Sequence, residues 1–212
     1  MRKVEIMLKL IMRTVLLSAL MAVCWACSAS YKSEPVTTSS PSSGSAPAPA
    51  PPPAAASGNL RYQAPSEWKS ETPTSNMRAA QFLLPKAASD PEDASLVLYY
   101  FGQGQGGSVQ ANLDRWVGQM QQPDGSSSRD KARTETMKAN GLNITLLDVS
   151  GTYTAEMTPG AGDRQNKSNY RMRAAVIETP RGPYFIKLTG PAKTIDQWDA
   201  SFMSFVNSME FK

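Results

Sequence analysis

A run of Ser, Pro and Ala divides this chain and restricts where a folded core can form. Residues 28–59 include the stretch SSPSSGSAPAPAPPPAAASG and carry almost no large apolar side chains. Such a segment cannot bury enough apolar surface to offset the entropy of ordering it, so we predict a disordered linker. Folding is then confined to residues 60–212, about 150 residues, which is enough for one domain with its own core.

The N-terminal residues have the pattern of an export signal. Several basic residues precede the apolar run TVLLSALMAVCWAC, which is too short to span a bilayer. We predict a signal peptide over residues 1–26, a segment over residues 27–59 that comprises a lipidated cysteine and the linker, and a globular domain over residues 60–212.

The cysteines of the chain, Cys24 and Cys27, both lie at the end of the apolar run. The small residue Ala26 just before Cys27 resembles the lipobox of bacterial lipoproteins, and this resemblance implies lipid attachment at Cys27 and a membrane anchor. Ordinary signal-peptidase cleavage, with Cys24 and Ala26 or Cys27 and Ala29 as the small residues, and an uncleaved anchor remain alternatives. In the lipoprotein family the identity of Ser28, which is not aspartate, implies the outer membrane of a Gram-negative cell, with the domain facing the periplasm.

The charge of the exported chain argues against nucleic acid as a partner. The full sequence has 22 basic and 18 acidic residues, and removal of residues 1–26 leaves 18 basic and 17 acidic ones. A nearly neutral exported chain has no polyanion-binding footprint, so we predict no nucleic-acid partner. We interpret Tyr170, Arg171 and Arg173 as the solvent face of a strand, with a small basic and aromatic patch as the alternative.

Two residue types that carry much of enzyme chemistry are missing from the predicted domain. The chain has no histidine, and residues 60–212 contain no cysteine. Catalytic triads with histidine, the usual zinc sites and the facial iron triad are therefore excluded. We predict a protein that is not an enzyme and has no metal or cofactor, stabilised by packing without disulfides.

Two further patterns give no support for a metal. The acidic stretch DPED at residues 90–93 lacks the spaced oxygen ligands and the glycine of a calcium loop, so we interpret it as a solvated turn. The methionines Met120, Met172 and Met209 lie at core spacing, which argues against copper.

Alternation of apolar and polar residues predicts strands in the domain. The segments are LRYQA, MRAAQFLL, ASLVLYYF, ARTETMKA, LNITLLDVSGTY, YRMRAAVIET and PYFIKLTG, and MEFK adds a short last strand. Asn140-Gly141 and Pro180-Arg181-Gly182 predict the turns of two hairpins.

Two apolar stripes predict helices. The first runs from Val109 to Met120, and the second lies near the C-terminus, where Thr194 and Gln197 form a capping box at its start. A mainly antiparallel sheet flanked by two helices is an α+β fold, which is the fold class that we predict.

A glycine-rich segment, YYFGQGQGGSVQANLDRW, joins a predicted strand to the first helix. Gly102, Gly104 and Gly107 have the G-x-G-x-x-G spacing of a dinucleotide-binding turn. That site needs a parallel βαβ unit, whereas here a polar loop and a hairpin follow the helix. We therefore interpret the glycines as a strand-to-helix connection that admits positive φ.

The long polar loop TAEMTPGAGDRQNKSN, Thr154 to Asn169, is a candidate contact surface because long loops often carry function. The charged residues in it that we assign as partner contacts are Glu156, Asp163, Arg164 and Lys167. A hairpin tip without a function is the alternative.

The order of elements, the pair GG followed by ANLDRW, and the closing FMSFVNSMEF resemble the PsbP/Mog-type α/β/α sandwich. This family includes photosystem accessory proteins, a Ran-binding protein and bacterial lipoproteins, and the resemblance covers nearly all of residues 60–212. It implies a non-catalytic binding or assembly role, here with an envelope protein as the partner.

Two other functions remain alternatives. A hydrolase would use carboxylates such as Glu135, Asp148 or Glu178, with at least two acids in one cleft about 5 to 9.5 Å apart. A freely secreted domain that binds a small ligand is the other alternative.

Overall fold

The structure, a computed structural model, describes residues 59–157 and 162–212. The predicted signal peptide, Cys27 and the linker up to residue 58 lie outside the described residues. The strands are β1 Leu60–Arg61, β2 Lys69–Glu71, β3 Arg78–Leu84, β4 Ala94–Tyr100, β5 Met120–Gln121, β6 Arg133–Ala139, β7 Leu142–Tyr153, β8 Lys167–Glu178, β9 Tyr184–Pro191 and β10 Glu210–Phe211. The helices are α1 Val109–Val117, α2 Ser128–Lys131 and α3 Ala192–Asn207.

Eight strands form one sheet in which every pair is antiparallel. Its order is β2-β3-β4-β9-β8-β7, and both β5 and β6 pair with the outer edge of β7. The terminal strands β1 and β10 pair separately. The predicted α+β class, a mainly antiparallel sheet flanked by two long helices, is confirmed, and α2 adds one further turn of helix.

Both predicted hairpin turns are present. Asn140 and Gly141 join β6 to β7 with φ values of 48° and 82°, the left-handed geometry that suits the twist of a two-residue hairpin. Gly182, at φ 106°, lies in the turn between β8 and β9.

The sheet separates two cores because side chains alternate between its faces. In β9, Tyr184, Ile186 and Leu188 pack on the face covered by α3, whereas Phe185 packs on the face covered by α1. The first core includes Phe202 and Phe205 of α3, both fully buried. The chain therefore folds as a sheet between two helical layers.

The start of α3 differs from the prediction. The helix begins at Ala192, and no side chain of its own caps it, so the predicted capping box of Thr194 and Gln197 is wrong. Instead Asp90 accepts hydrogen bonds from the backbone N–H and the hydroxyl of Thr194, both at 2.7 Å. A carboxylate distant in sequence thus satisfies a free N–H of the first turn.

The first helix is shorter than its apolar stripe. It ends at Val117, and Met120 belongs to β5, where it pairs with Tyr153. Met120, Met172 and Met209 are all buried in the two cores. A helix and a strand can both direct an apolar side chain into the core. The apolar pattern therefore continued past Val117, and the predicted helix was too long.

Arg171 and Arg173 do not form a solvent face. They lie beneath α3 with side chains 16% and 12% exposed. Arg171 donates to both carboxylate oxygens of Asp148 at 2.8 and 2.7 Å and to Asp196 at 2.6 Å. Arg173 contacts Asp148 at 3.2 Å and Asp199 at 2.9 Å. The interpretation of these arginines as solvent-facing is wrong because α3 covers this part of β8.

Candidate binding groove

The glycine segment after β4 shapes the face of the sheet that α1 covers. Gly102, Gly104 and Gly107 have φ values of 99°, 71° and 80°, as expected for a connection with left-handed backbone. The strands beside it are antiparallel, so the described sheet has no parallel βαβ unit for a dinucleotide at this position. At Gly106 a Cβ atom would lie 2.6 Å from the Phe185 ring, so the backbone must pass close to this aromatic side chain.

Asn112 of α1 forms hydrogen bonds both to the glycine segment and to Arg115. The Asn112 side chain is buried, and its amide donates to the carbonyl oxygens of Gly106 at 2.8 Å and Ser108 at 2.9 Å. Its oxygen accepts a hydrogen bond from the Arg115 guanidinium. The segment therefore helps to position Arg115 at the edge of the open sheet surface.

Two adjacent depressions, each about 270 Å³, lie on this face where α1 ends, and they share Tyr99 and Lys187. We call the pair the groove. One half lies against α1, with Met77, Phe101, Arg115, Trp116, Gln119 and Phe185 as the other lining residues. The other half lies over β3, β4, β7, β8 and β9, and its lining includes Arg78, Glu92, Asp93, Ser95, Tyr153, Lys167, Tyr170 and Thr189.

Lys187 is the central cation of the groove. Its ammonium donates to the Tyr153 hydroxyl at 3.1 Å and to the Gln119 side-chain oxygen at 3.2 Å. Burial, together with the charges of Arg115 and Arg78, lowers the pKa of Lys187 to about 8. No carboxylate oxygen in the described part of the chain lies within 4.0 Å of this ammonium. Lys187 is therefore a largely buried cation without a counter-ion.

Arg78 reaches the groove through a β-bulge. Arg78 pairs with Tyr99 and Ala80 pairs with Leu98, with the register shift between them. Ala80 packs in the core beneath α3, so strict alternation would direct Arg78 there as well. The bulge turns Arg78 to the other face, beside Tyr99. Its guanidinium donates to the amide oxygen of Gln81 at 2.6 Å.

The acidic groups at the groove are already bound to other partners. Glu92 accepts from the Lys167 ammonium at 2.7 and 2.8 Å and from the Tyr170 hydroxyl, and these hydrogen bonds lower the pKa of Glu92. Asp93 accepts from the backbone N–H of Lys86 at 2.9 Å and pairs with Lys69 at 3.7 Å. The stretch DPED lies in bends and stays partly solvated, with the Glu92 side chain 43% exposed, as predicted for a solvated turn, and its three carboxylates also serve as structural acceptors.

Aromatic rings form the apolar surface of the groove. Tyr99 and Phe101 are stacked with ring centroids 6.0 Å apart, and Tyr153 and Tyr170 are stacked in the same way, also at 6.0 Å. Burial raises the pKa of Tyr99, although the charges of nearby arginines oppose the shift, so its phenol stays neutral at pH 7. The groove therefore presents flat apolar surface beside positive charge.

Three other depressions are each larger than either half of the groove, and the one of about 360 Å³ lies over the ion pairs of Asp148 with Arg171 and Arg173. A second, about 490 Å³, lies between the end of α1 and residues 122–129, where Asp114 accepts from Gln110 at 2.9 Å and Arg129 at 2.7 Å. The third, about 500 Å³, lies on exposed residues of β6 and β7 and includes Glu178. We regard the groove as the better candidate because three of its cations, Arg78, Arg115 and Lys187, have no carboxylate within 4.0 Å among the described residues.

The predicted contact residues of the long loop do not gather into one site. Glu156 and Arg164 pair with each other at 3.8 Å and close the loop by a β-bridge. Asp163 is exposed, and its backbone carbonyl accepts from Met157 at 2.9 Å. Lys167 begins β8 and lies at the groove with Glu92. No finding tests their role with a partner, which stays a prediction.

Two carboxylates of the hydrolase alternative, Glu135 and Asp148, line one depression, and Glu178 lies in another. Burial of Asp148 opposes its ionisation, but its contacts with Arg171 and Arg173 outweigh burial and lower its pKa, so it is ionised at pH 7 as part of an ion-pair network. The depression that holds Glu135 and Asp148 has a volume of about 360 Å³ and is also lined by Arg171, Arg173 and Asp199, so its acids lie among paired arginines.

Neither a metal-binding cluster nor a membrane-spanning helix is found among the described residues. They contain no group of three or more His, Cys, Asp or Glu side chains that could hold a metal ion. In the same part of the chain, no helix is both long and apolar enough to cross a membrane.

Sequence reasoning missed Arg78, Arg115 and Lys187 as site residues. Only Lys187 left a signal, because it is the single charged residue in the otherwise apolar stretch PYFIKLTG of a strand. Arg115 looks like the polar face of a helix, and Arg78 needs the bulge to reach the site.

The described residues thus form a small α+β domain with an antiparallel sheet between two helical layers. No family model matches the sequence, and a search of curated proteins finds no match. Among solved structures it is similar to PA94 of Pseudomonas aeruginosa, a protein of unknown function, with 14% identity, a TM-score of 0.41, and coverage of 71% of this chain and 96% of that chain. It is also similar to cyanobacterial PsbP (CyanoP) of Synechocystis sp. PCC 6803, with 12% identity, a TM-score of 0.43, and coverage of 73% and 87% respectively.

Proposed function

We propose that this chain is a non-catalytic binding protein of the cell envelope, anchored to the membrane by a lipid on Cys27, and that the groove is its binding site. The observation that carries the proposal is the group formed by Arg78, Arg115 and Lys187, which have no carboxylate partner within 4.0 Å among the described residues. Lys187 is largely buried, and burying its ammonium without a counter-ion costs folding free energy. A binding role explains why the fold retains these cations.

The N-terminal sequence supports the location. The basic residues, the short apolar run and Cys27 fit export and lipidation, and residues 28–59 fit a tether that lets the domain stand away from the bilayer. A lipid on Cys27 would place the groove within reach of envelope partners.

The binding role is tested by site-specific photo-crosslinking in intact cells. A photo-reactive residue replaces Met77, which is 53% exposed at the rim of the groove. The control carries the same residue at Lys193, which is exposed on α3 on the opposite side of the sheet. We expect a discrete product from position 77 that Lys187→Met abolishes, and none from position 193. Equal products from both positions would contradict the groove as the binding site.

The anchor is tested by mass spectrometry of the mature N-terminal peptide and by membrane fractionation. We expect a diacylglycerol on Cys27 and membrane association that Cys27→Ala abolishes and Cys24→Ala leaves intact. An unmodified N-terminus near Cys27 would instead support the freely secreted alternative.

A further inference from the structure

We infer that the groove binds a small organic anion, a carboxylate or phosphate attached to a flat apolar group, with Lys187, Arg78 and Arg115 around the anion and Tyr99, Phe101 and Trp116 against the flat group. This inference rests on the proposed function of the groove and names the chemistry of its ligand.

The negative charge of the ligand is inferred from which charged groups of the groove already have a partner of opposite charge. Lys167 satisfies Glu92, and Lys69 together with a backbone N–H satisfies Asp93. Arg78, Arg115 and Lys187, by contrast, hydrogen-bond only to neutral groups, namely two side-chain amides for the arginines and an amide and a phenol for the lysine. The groove thus carries excess positive charge that an anion would neutralise.

Neutral hydrogen-bonding groups lie beside these cations. The Tyr99 hydroxyl makes no hydrogen bond to any residue that the structure describes. Ser95 and Thr189 pair across β4 and β9, and both line the same half of the groove as Arg78. A carboxylate or phosphate can accept from several donors at once, so this set suits it better than a halide.

The shape of the groove sets the rest of the ligand. The half that includes Arg115 is walled by Trp116 and by the stacked rings of Tyr99 and Phe101, and the exposed Met77 lies at its rim. Flat apolar groups pack well against such rings. A volume of about 270 Å³ for each half is at the lower end of the size of small-molecule sites, which favours a small ligand.

Binding should depend on pH through Lys187, because only its protonated form attracts the anion. The groups around it are Arg78 on β3, Tyr99 on β4, Arg115 on α1 and Tyr153 on β7, with the Lys167, Glu92 and Tyr170 cluster beyond. Burial raises the pKa of Tyr153 to about 12, and hydrogen bonds from Lys167 and Tyr170 lower the pKa of Glu92, so neither group changes charge between pH 7 and pH 9. With a Lys187 pKa of about 8, the apparent Kd should rise about tenfold from pH 7 to pH 9.

The experiment is calorimetric titration of the full chain with naphthalene-2-carboxylate at pH 7, with naphthalene-2-carboxamide and inorganic phosphate as matched probes. We expect the carboxylate to bind at least ten times more tightly than either. We expect Lys187→Met to weaken its binding at least tenfold, and Lys138→Met, a change of an exposed lysine on β6, to leave it unchanged.

Each contrary result would overturn one part of the inferred ligand chemistry. Equal affinity for carboxylate and carboxamide removes the anion site, and equal affinity for inorganic phosphate removes the requirement for a flat group. No binding of any probe overturns the whole inference. The crosslinking from position 77 is independent of these probes, so a product there that depends on Lys187 would sustain the proposed function while the ligand chemistry falls.

Discussion

The two faces of the sheet treat charge in opposite ways. Beneath α3, Arg171 and Arg173 are enclosed by Asp148, Asp196 and Asp199 at 2.6 to 3.5 Å. On the α1 face, Arg78, Arg115 and Lys187 surround the groove with only neutral partners. The same sheet thus carries one group of cations that belongs to the fold and another that is available for a ligand.

The lengths of the covering helices explain the difference. With 16 residues α3 spans about 24 Å, whereas α1 has 9 residues and spans about 14 Å. The longer helix closes its face and supplies two of the carboxylates itself. The shorter helix leaves part of β3, β4 and β9 uncovered. The contrast indicates that stability lies mainly on one face of the sheet and binding on the other.

The largest effect should come from the closed core. Phe205 is fully buried, and its ring centroid lies 5.1 Å from that of Tyr62 and 5.2 Å from that of Trp68. Phe205→Ala should lower the free energy of unfolding by about 4 kcal/mol, because it leaves a cavity. Phe101→Ala, at the edge of the groove, should cost about 1 kcal/mol. Denaturant unfolding of both variants measures the two losses of free energy. Similar losses would show that the α3 face does not contribute more to stability than the groove.

The next effect concerns the paired charges. Asp148→Asn should lower the free energy of unfolding by about 3 kcal/mol, because it leaves two half-buried arginines without their shared carboxylate. The pKa of Asp148 is lowered in the fold, so its stabilisation is present above the unfolded pKa of about 4 and is lost as pH falls through the lowered value. The difference in the free energy of unfolding between wild type and Asp148→Asn should therefore decrease at acidic pH.

The control for this change is Asp163→Asn, whose side chain is exposed. Urea titrations between pH 7 and pH 2.5 compare the variants. If both aspartates contributed equally at pH 7, the ion-pair network would not be a stabilising feature.

Removing the unpaired charge of Lys187 should stabilise the protein, in contrast to removing the paired charge of Asp148. Lys187→Met should raise the free energy of unfolding at pH 7 by about 2 kcal/mol, because folding no longer buries an ammonium without a counter-ion. The folded pKa of about 8 lies below the ordinary value of 10.5, so the cost of the lysine is full below pH 8 and disappears as pH rises to about 10.5.

The advantage of the variant should shrink over that range in thermal or urea unfolding, and Lys138→Met should show no such dependence. A destabilised Lys187→Met protein at pH 7 would mean that this lysine serves the fold, in conflict with its assignment to the groove.

The smallest effect concerns the start of α3. Asp90→Ala should lower the free energy of unfolding by about 1 kcal/mol, since the N–H of Thr194 loses its acceptor. Asp130→Ala on the exposed α2 serves as the control, with an expected change below about 0.5 kcal/mol. Native-state hydrogen exchange at Thr194 would localise the loss. Unchanged exchange there would show that Asp90 is dispensable to the helix.

Patterns that depend on nearby residues were predictable. The bounds of β7, the hairpin at Asn140-Gly141 and the positive φ values of the glycine segment agree with the prediction. Each depends on local alternation or on local backbone freedom. The wrong predictions concern residues whose partners are distant in sequence. Asp90, and not the predicted capping box, accepts the N–H at the start of α3, and Met120 lies in β5 and pairs with Tyr153 instead of extending the first helix.

The sequence by itself determined the fold class, the absence of histidine chemistry and the pattern of an export signal, because composition and short-range periodicity suffice for these. Only the tertiary structure decided which cations are paired. No local pattern shows that Arg171 is paired and Arg115 is not; the lengths of the covering helices and the positions of distant carboxylates separate their roles. Such electrostatic partners are set by long-range packing, which no local pattern encodes.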